Sequence, residues 1–226
     1  MMLAAPRRIG EALRERGVAH VSGPLDLAGY LALASSLGEV VSEERIALRS
    51  GAHAYVAKSG RVPLHTDHPE VGVIGWLCER QDAEDGASLL LDTRPIVTAL
   101  SEREREVLRL VELECPPLSG GPPTERWPVL RPSGGLDAVF CSPWLRSARA
   151  FDGHQEALDQ FRQLISAHAK AGIGKGAMID LRLAKGEALF VDNRRILHGR
   201  RAIAEASPRQ LLRLWIRLAD ARVSPT

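Results

Sequence analysis

The chain has 226 residues, 45% of them hydrophobic, which supports one well-buried domain and is short for two. Its 30 basic and 28 acidic residues leave a formal charge of +2 and form no run of like charges, so nothing tracks a phosphate backbone and nucleic acid is excluded as an expected partner. Cys78, Cys115 and Cys141 lie far apart and make no C-x-x-C pair, which excludes a disulfide framework or a zinc knuckle and reads as buried small hydrophobes in a reducing compartment.

Residues 1–17 carry charges every few positions, with no apolar stretch long enough for a signal-peptide core. No later segment reaches the roughly 18 apolar residues that a membrane span needs, so a cytoplasmic protein without a membrane partner is expected. Helical spacing appears over residues 9–16 and again over 27–37, where Leu27, Tyr30, Leu31, Ala34 and Leu37 fall on one face, Asp26 can cap the start and Gly38 follows the end. A short strand is predicted between them at 18–21. From 46 to 91 the pattern changes to short apolar or alternating runs, at 71–77 and 88–91 among others, broken by Gly, Pro and Asp, which predicts strands. Ser101 ahead of Glu102 and Glu104 marks the start of a helix over 101–110, and a further helix is predicted at about 155–170. Between them, residues 115–135 contain six prolines and four glycines, and are expected to form an irregular surface excursion, the kind of loop that often lies over an enzyme's site. Strands return at 178–183, 188–191 and 211–218. Strands early and late with helices inserted between them predict a mixed, β-rich α+β fold closed by its terminal strands.

The chemistry begins at His65-Thr66-Asp67. On extended backbone, residues i and i+2 face the same side, so an imidazole and a carboxylate can reach one ion. Alone, the tripeptide is as compatible with a packed or solvated pair. The block Asp192-Asn193-Arg194-Arg195-Ile196-Leu197-His198-Gly199-Arg200 supplies a second histidine at the head of a strand after a polar turn. Two histidines and one carboxylate on one face of an ion form the facial triad of non-haem iron(II) oxygenases, which leaves three positions open. Downstream, Arg209, Arg213 and Arg217 share one strand face among apolar residues; they suit either a buried anion or a solvated basic edge.

Together these motifs resemble the taurine dioxygenase and clavaminate synthase-like family of iron(II)/2-oxoglutarate oxygenases, from about Pro63 to Arg217. The resemblance implies a double-stranded β-helix (jelly-roll, cupin-like) core with flanking helices, in one domain over 1–226: a helical part at about 1–44 and the core at about 45–218. It implies Fe(II) held by His65, Asp67 and His198, with 2-oxoglutarate and O2 as co-substrates. Arg213 matches the arginine that grips the C5 carboxylate of 2-oxoglutarate, and Arg209 the arginine near its C1 end. In Asp85-Gly86-Ala87-Ser88, Ser88 stands where the family shows a co-substrate-binding threonine, although Ala87 departs from the pattern.

The implied reaction hydroxylates a small polar metabolite, such as an amino acid or a natural-product intermediate, with release of succinate and CO2. Asp67 fills the position that related halogenases leave without a carboxylate. His68, Arg146 and Arg149 are the candidates for contacting substrate, and Trp76, Trp144 and Trp215 are expected in the core. Two other readings compete. One is a zinc-dependent hydrolase using His65-Thr66-Asp67-His68, although Pro63 occupies the place of that motif's preceding histidine; the other is a non-catalytic small-molecule-binding barrel.

Overall fold

A computed structural model describes residues 4–49, 54–120, 123–133, 136–145, 147, 154–172 and 178–219. Helix α1 (Ala4–Arg16) leads into strand β1 (Val18–Val21), α2 (Leu27–Leu37) and β2 (Glu39–Ala47). Strands β3 (Val62–His65), β4 (Val73–Arg80) and β5 (Ser88–Asp92) follow, then α3 (Arg94–Ala99) and α4 (Glu102–Leu110). Two ribbons, β6 (Glu112–Cys115) with β7 (Glu125–Pro128) and β8 (Leu130–Ser133) with β9 (Leu136–Val139), precede α5 (His154–Gly172). The last strands are β10 (Met178–Leu181), β11 (Ala188–Asp192), β12 (Ile196–Arg200) and β13 (Gln210–Arg217). No described helix is long and apolar enough to cross a membrane.

The strands form two antiparallel sheets facing each other, in the orders β1-β11-β4-β13-β2 and β10-β5-β12-β3. Alternation along β13 shows how one strand serves both sides. Leu212, Leu214 and Ile216 are fully buried against α1 and α2, while Leu211, Arg213 and Trp215 occupy the opposite face. Tyr30 from α2 packs on Phe190 and donates its hydroxyl to the Leu212 carbonyl at 3.3 Å, fixing the helix to the sheet. Between the sheets, Ile74, Trp76, Cys78, Leu189 and Leu211 meet Leu90, Leu183 and Ile196. The far side of the second sheet is covered by α4, α5 and the ribbons; Leu158, Phe161, Ile165 and Ala169 of α5 are buried there at helical spacing. Leu158, Phe161 and Ile165 each contribute roughly 1.5–3 kcal/mol by leaving water.

The two N-terminal helices, β1, α4 with its Ser101–Glu104 capping box, and α5 lie where the sequence predicts them, within a few residues. Three features differ. Strand β2 begins inside the stretch expected to be helical and is an edge strand of the first sheet; charged side chains along it hide the alternation that would announce a strand. Helix α3 begins with proline in its first turn and is too short to show a period. Residues 115–135 are not wholly irregular: they contain β7 and β8, where Trp127, Val129 and Leu130 are fully buried. Pro128 and Pro132 are tolerated because each ribbon has only two strands, so every strand is an edge.

Candidate metal centre

Three elements bring the triad together. His65 ends β3 and stands directly opposite His198 of β12 in the antiparallel register. The strands approach closely at Gly199, where a Cβ would lie 2.6 Å from the Val62 carbonyl oxygen, so glycine is required for this pairing. Thr66 turns away: its amide donates to the Cys141 carbonyl at 2.9 Å and its hydroxyl accepts from the Cys141 amide at 3.0 Å. That leaves His65 and Asp67 on the same side, as the i, i+2 spacing predicts.

Asp67 Oδ1 lies 3.4 Å from His65 Nε2 and 3.5 Å from His198 Nε2, and the three ligand atoms all fall within 4.8 Å of one another. All three side chains are at least nine-tenths buried. His65 Nδ1 meets the Pro63 carbonyl at 2.8 Å, which places its proton there and leaves the Nε2 lone pair for a metal. His198 Nδ1 has no hydrogen-bond partner among the described residues. Burial, and then the nearby His65, pushes His198 down to about 4, so its imidazole is neutral near pH 7, the form a metal takes. Burial alone would raise the Asp67 carboxyl, but the charge of Arg213 and the two imidazoles outweigh it and hold it well below the usual carboxylate range. The other oxygen of Asp67, Oδ2, accepts from Arg213 Nη1 at 3.1 Å and from Trp215 Nε1 at 2.7 Å. The donor set, with the His198 imidazole neutral and the Asp67 carboxylate ionised, fits a divalent transition metal.

Cavities open on both sides of this cluster. The first lies between the sheets and is lined by His65, His198, Trp76, Ser88, Arg209 and Arg213, among others. Arg209 is buried and has no ion-pair partner among the described residues, and its Nε is unbonded. Burial, and then the charge of Arg200, lowers its pKa to about 10. Arg200 is itself occupied with the carbonyls of Lys58 and Gly60, at 2.5 and 2.7 Å. Arg213 is already neutralised, because besides Asp67 it meets Glu44 Oε2 at 2.6 Å. Arg217 pairs with Glu39 and Glu70.

The second cavity, about 490 Å3, is open to solvent and is lined by His65, Asp67, His68, Trp144, Trp215 and residues Pro116 to Leu118 of the proline-rich segment. That segment does lie beside the site, as the sequence suggested. His68 reaches this cavity but belongs to a separate group with Glu70 and Glu125. In that group Glu70 accepts from Arg217 at 2.8 Å and Glu125 from the Trp127 indole at 3.0 Å, while the charge of Arg131 bears on His68. These donors engage the two carboxylates, whereas His68 Nε2 has no hydrogen-bond partner among the described residues. The grouping sets His68 apart from the cluster of His65, Asp67 and His198. Arg146 and Arg149 lie outside the described residues.

The three tryptophans expected in the core surround the triad. Trp76 packs edge-on against His198 with ring centroids 5.2 Å apart, Trp144 against His65 at 4.7 Å, and Trp215 bonds Asp67. The role of Trp215 could have been read from its position, two residues beyond Arg213 on the same strand face. Asn193, which the sequence offered only as a turn residue, donates to the carbonyls of His68 at 3.1 Å and Val71 at 2.9 Å.

Solved structures with the same fold include an asparagine oxygenase in complex with Fe(II), 2S,3S-3-hydroxyasparagine and succinate (TM-score 0.75, 18% identity, covering 95% of this chain and 79% of that one). A second is AAD-2 in complex with Mn(II) and N-oxalylglycine (TM-score 0.77, 12% identity, 97% and 91% covered). A third is the non-haem iron oxygenase OrfP with Fe and alpha-ketoglutaric acid (TM-score 0.71, 16% identity, 95% and 80% covered). These likenesses establish a shared fold, the jelly-roll expected from the sequence. No curated protein sequence matches the chain. Residues 4–215 match the profile of one family, and the chain belongs to it: the taurine catabolism dioxygenase TauD, TfdA family.

Proposed function

We propose that the chain is an Fe(II)- and 2-oxoglutarate-dependent dioxygenase that hydroxylates a small metabolite, with His65, Asp67 and His198 holding the iron. The observation that carries this reading is Arg209, a buried cation with no ion-pair partner among the described residues, in the same cavity as both histidines. A buried charge left unpaired is costly, and a carboxylate entering the cavity would relieve that cost. The family's metal chemistry and the ligands held by the similar oxygenases support the choice of iron and 2-oxoglutarate. When bound, iron(II) with 2-oxoglutarate and O2 supplies the oxidising power for a C–H bond, releasing succinate and CO2.

The family resemblance assigns the C5 carboxylate to Arg213, with Arg209 secondary. The geometry favours the reverse order, because a diacid reaching Arg213 would compete with both Asp67 and Glu44. In this arrangement Arg209 is the principal partner of the far carboxylate, with Ser88 on the same cavity wall, and Arg213 stands at the metal end.

Substrate enters the open cavity. His68 gives this cavity a polar spot, while Trp144, Trp215 and Leu118 give it an aromatic and apolar wall. Between a free amino acid and a biosynthetic intermediate, that wall favours the intermediate. The test is succinate release from 2-oxoglutarate by protein supplied with Fe(II) and ascorbate, across a panel of amino acids and amino-acid-derived intermediates. Stimulated release with a product gaining one oxygen is expected; a protein that binds 2-oxoglutarate yet never releases succinate would instead be a binding barrel.

A further inference from the structure

Asp67 has two oxygens, and the structure treats them differently. Oδ1 faces both imidazole Nε2 atoms, at 3.4 and 3.5 Å, whereas Oδ2 is turned back into the protein. There it meets the Trp215 indole N–H at 2.7 Å and Arg213 at 3.1 Å. Both donors come from one face of β13, two residues apart, and Arg213 lies over the Trp215 ring at 4.7 Å. The two are unequal as restraints. Arg213 also binds Glu44 and lines the cavity assigned above to the co-substrate, so an anion there competes for its guanidinium. Trp215 has one N–H and gives it to Asp67; its ring forms part of the open cavity's wall.

We propose that Trp215 is a positioning residue that confines Asp67 to binding metal through Oδ1 alone. This rests on the iron assignment proposed above. Three single-atom protein ligands leave three of six positions open. A carboxylate gripping through both oxygens leaves two, one short of what a chelating co-substrate and O2 require together. Losing the Trp215 donor frees Oδ2 to grip as well, so the variant holds metal at least as well but binds 2-oxoglutarate less well. A merely structural tryptophan would weaken both together.

The test compares wild type, Trp215→Phe and a protein carrying the benzothienyl analogue of tryptophan at position 215, which keeps the ring shape and lacks the N–H. Mn(II) affinity is measured first, from the signal of the free ion, and then the affinity of the Mn(II)-loaded proteins for 2-oxoglutarate without O2. For the isosteric analogue we expect Mn(II) affinity equal to or tighter than wild type and 2-oxoglutarate affinity about tenfold weaker, since a hydrogen bond to a charged acceptor is lost. Wild-type 2-oxoglutarate affinity in the analogue, or parallel loss of both ligands, overturns the proposal. Wild type that fails to bind Mn(II) overturns the iron assignment itself. Trp215→Phe, if it folds, should follow the analogue.

Discussion

Asn193 and Asp67 are joined across the site: the Asn193 side-chain oxygen accepts the Asp67 backbone amide at 2.8 Å, from a turn more than a hundred residues away in sequence. The same side chain donates to the carbonyls of His68 and Val71, so one buried amide ties the loop after β3 to the turn before β12. Asn193→Ala should cost about 2–4 kcal/mol, because it strands one donor and two acceptors. Asn193→Asp should be no better, since its second carboxylate oxygen would face two carbonyls. Urea unfolding reads the loss, and metal affinity should fall in both variants. Unchanged metal binding in a folded Asn193→Ala would show that this tie does not place Asp67.

Arg195 performs a comparable task at the other end of the turn. Its guanidinium meets both oxygens of Asp92, at 2.8 to 3.2 Å, and the carbonyls of Arg14 and Glu15 at the end of α1. With its side chain 7% exposed, removing it takes the donor from two helix-end carbonyls and leaves Asp92 to Arg94 alone. Arg195→Ala should therefore destabilise the protein by about 3 kcal/mol. Arg195→Lys should recover only part of that, having no fork to span both oxygens. A chemical denaturation midpoint equal to wild type for Arg195→Ala would refute this role.

The triad was legible because it rests on local rules: the i, i+2 pair in His65-Thr66-Asp67 and a histidine heading a strand after a polar turn. Of the residues that hold the triad in place, only Trp215 carried a local signal, its place on the strand face of Arg213. Asn193 and Glu44 act through contacts between segments distant in sequence, and nothing in their immediate neighbours distinguishes them from turn and edge residues. The arginines show the same limit. Spacing from His198 selects Arg209 and Arg213 together, but only the position of Glu44 on β2 reveals which of them is already neutralised. Strand β2 itself was hidden, because an edge strand carrying charge has no apolar alternation to display.

The affinity for 2-oxoglutarate should separate the three arginines of the last strand region. Arg209→Ala should weaken it roughly 30- to several-thousand-fold, the loss expected for a partly buried carboxylate deprived of its partner. Arg217→Ala, which removes a residue paired with Glu39 and Glu70, should leave it nearly unchanged. Arg213→Ala should fall between them, because Asp67 and Glu44 already occupy that guanidinium. Were Arg213→Ala the most damaging to co-substrate affinity with metal affinity intact, the order assigned to the two arginines would have to be exchanged.

The cysteines offer a test that involves no ligand. Burial pushes the Cys115 thiol up to about 12 and Cys141 to about 11, and raises Cys78 as well. The thiolate is the reactive form, so native protein at pH 8 should resist iodoacetamide at all three positions and react once unfolded. A thiol with a raised pKa keeps its proton longer in the folded state than in the unfolded chain. Stability should therefore fall as pH rises beyond about 8.5, where the unfolded thiols begin to ionise. Rapid labelling of native protein at Cys141 would contradict the packing around β9 and α5.

The proposed role of His65, Asp67 and His198 as one metal site underlies every other role assigned to the site. Anaerobic titration of Fe(II) into wild type and His198→Ala tests it most directly, with folding of the variant checked by circular dichroism. Wild type is expected to bind one Fe(II) per chain, and His198→Ala, with one of the three proposed protein ligands gone, to bind it roughly a hundredfold more weakly or worse. Wild-type Fe(II) affinity in a folded His198→Ala would contradict it.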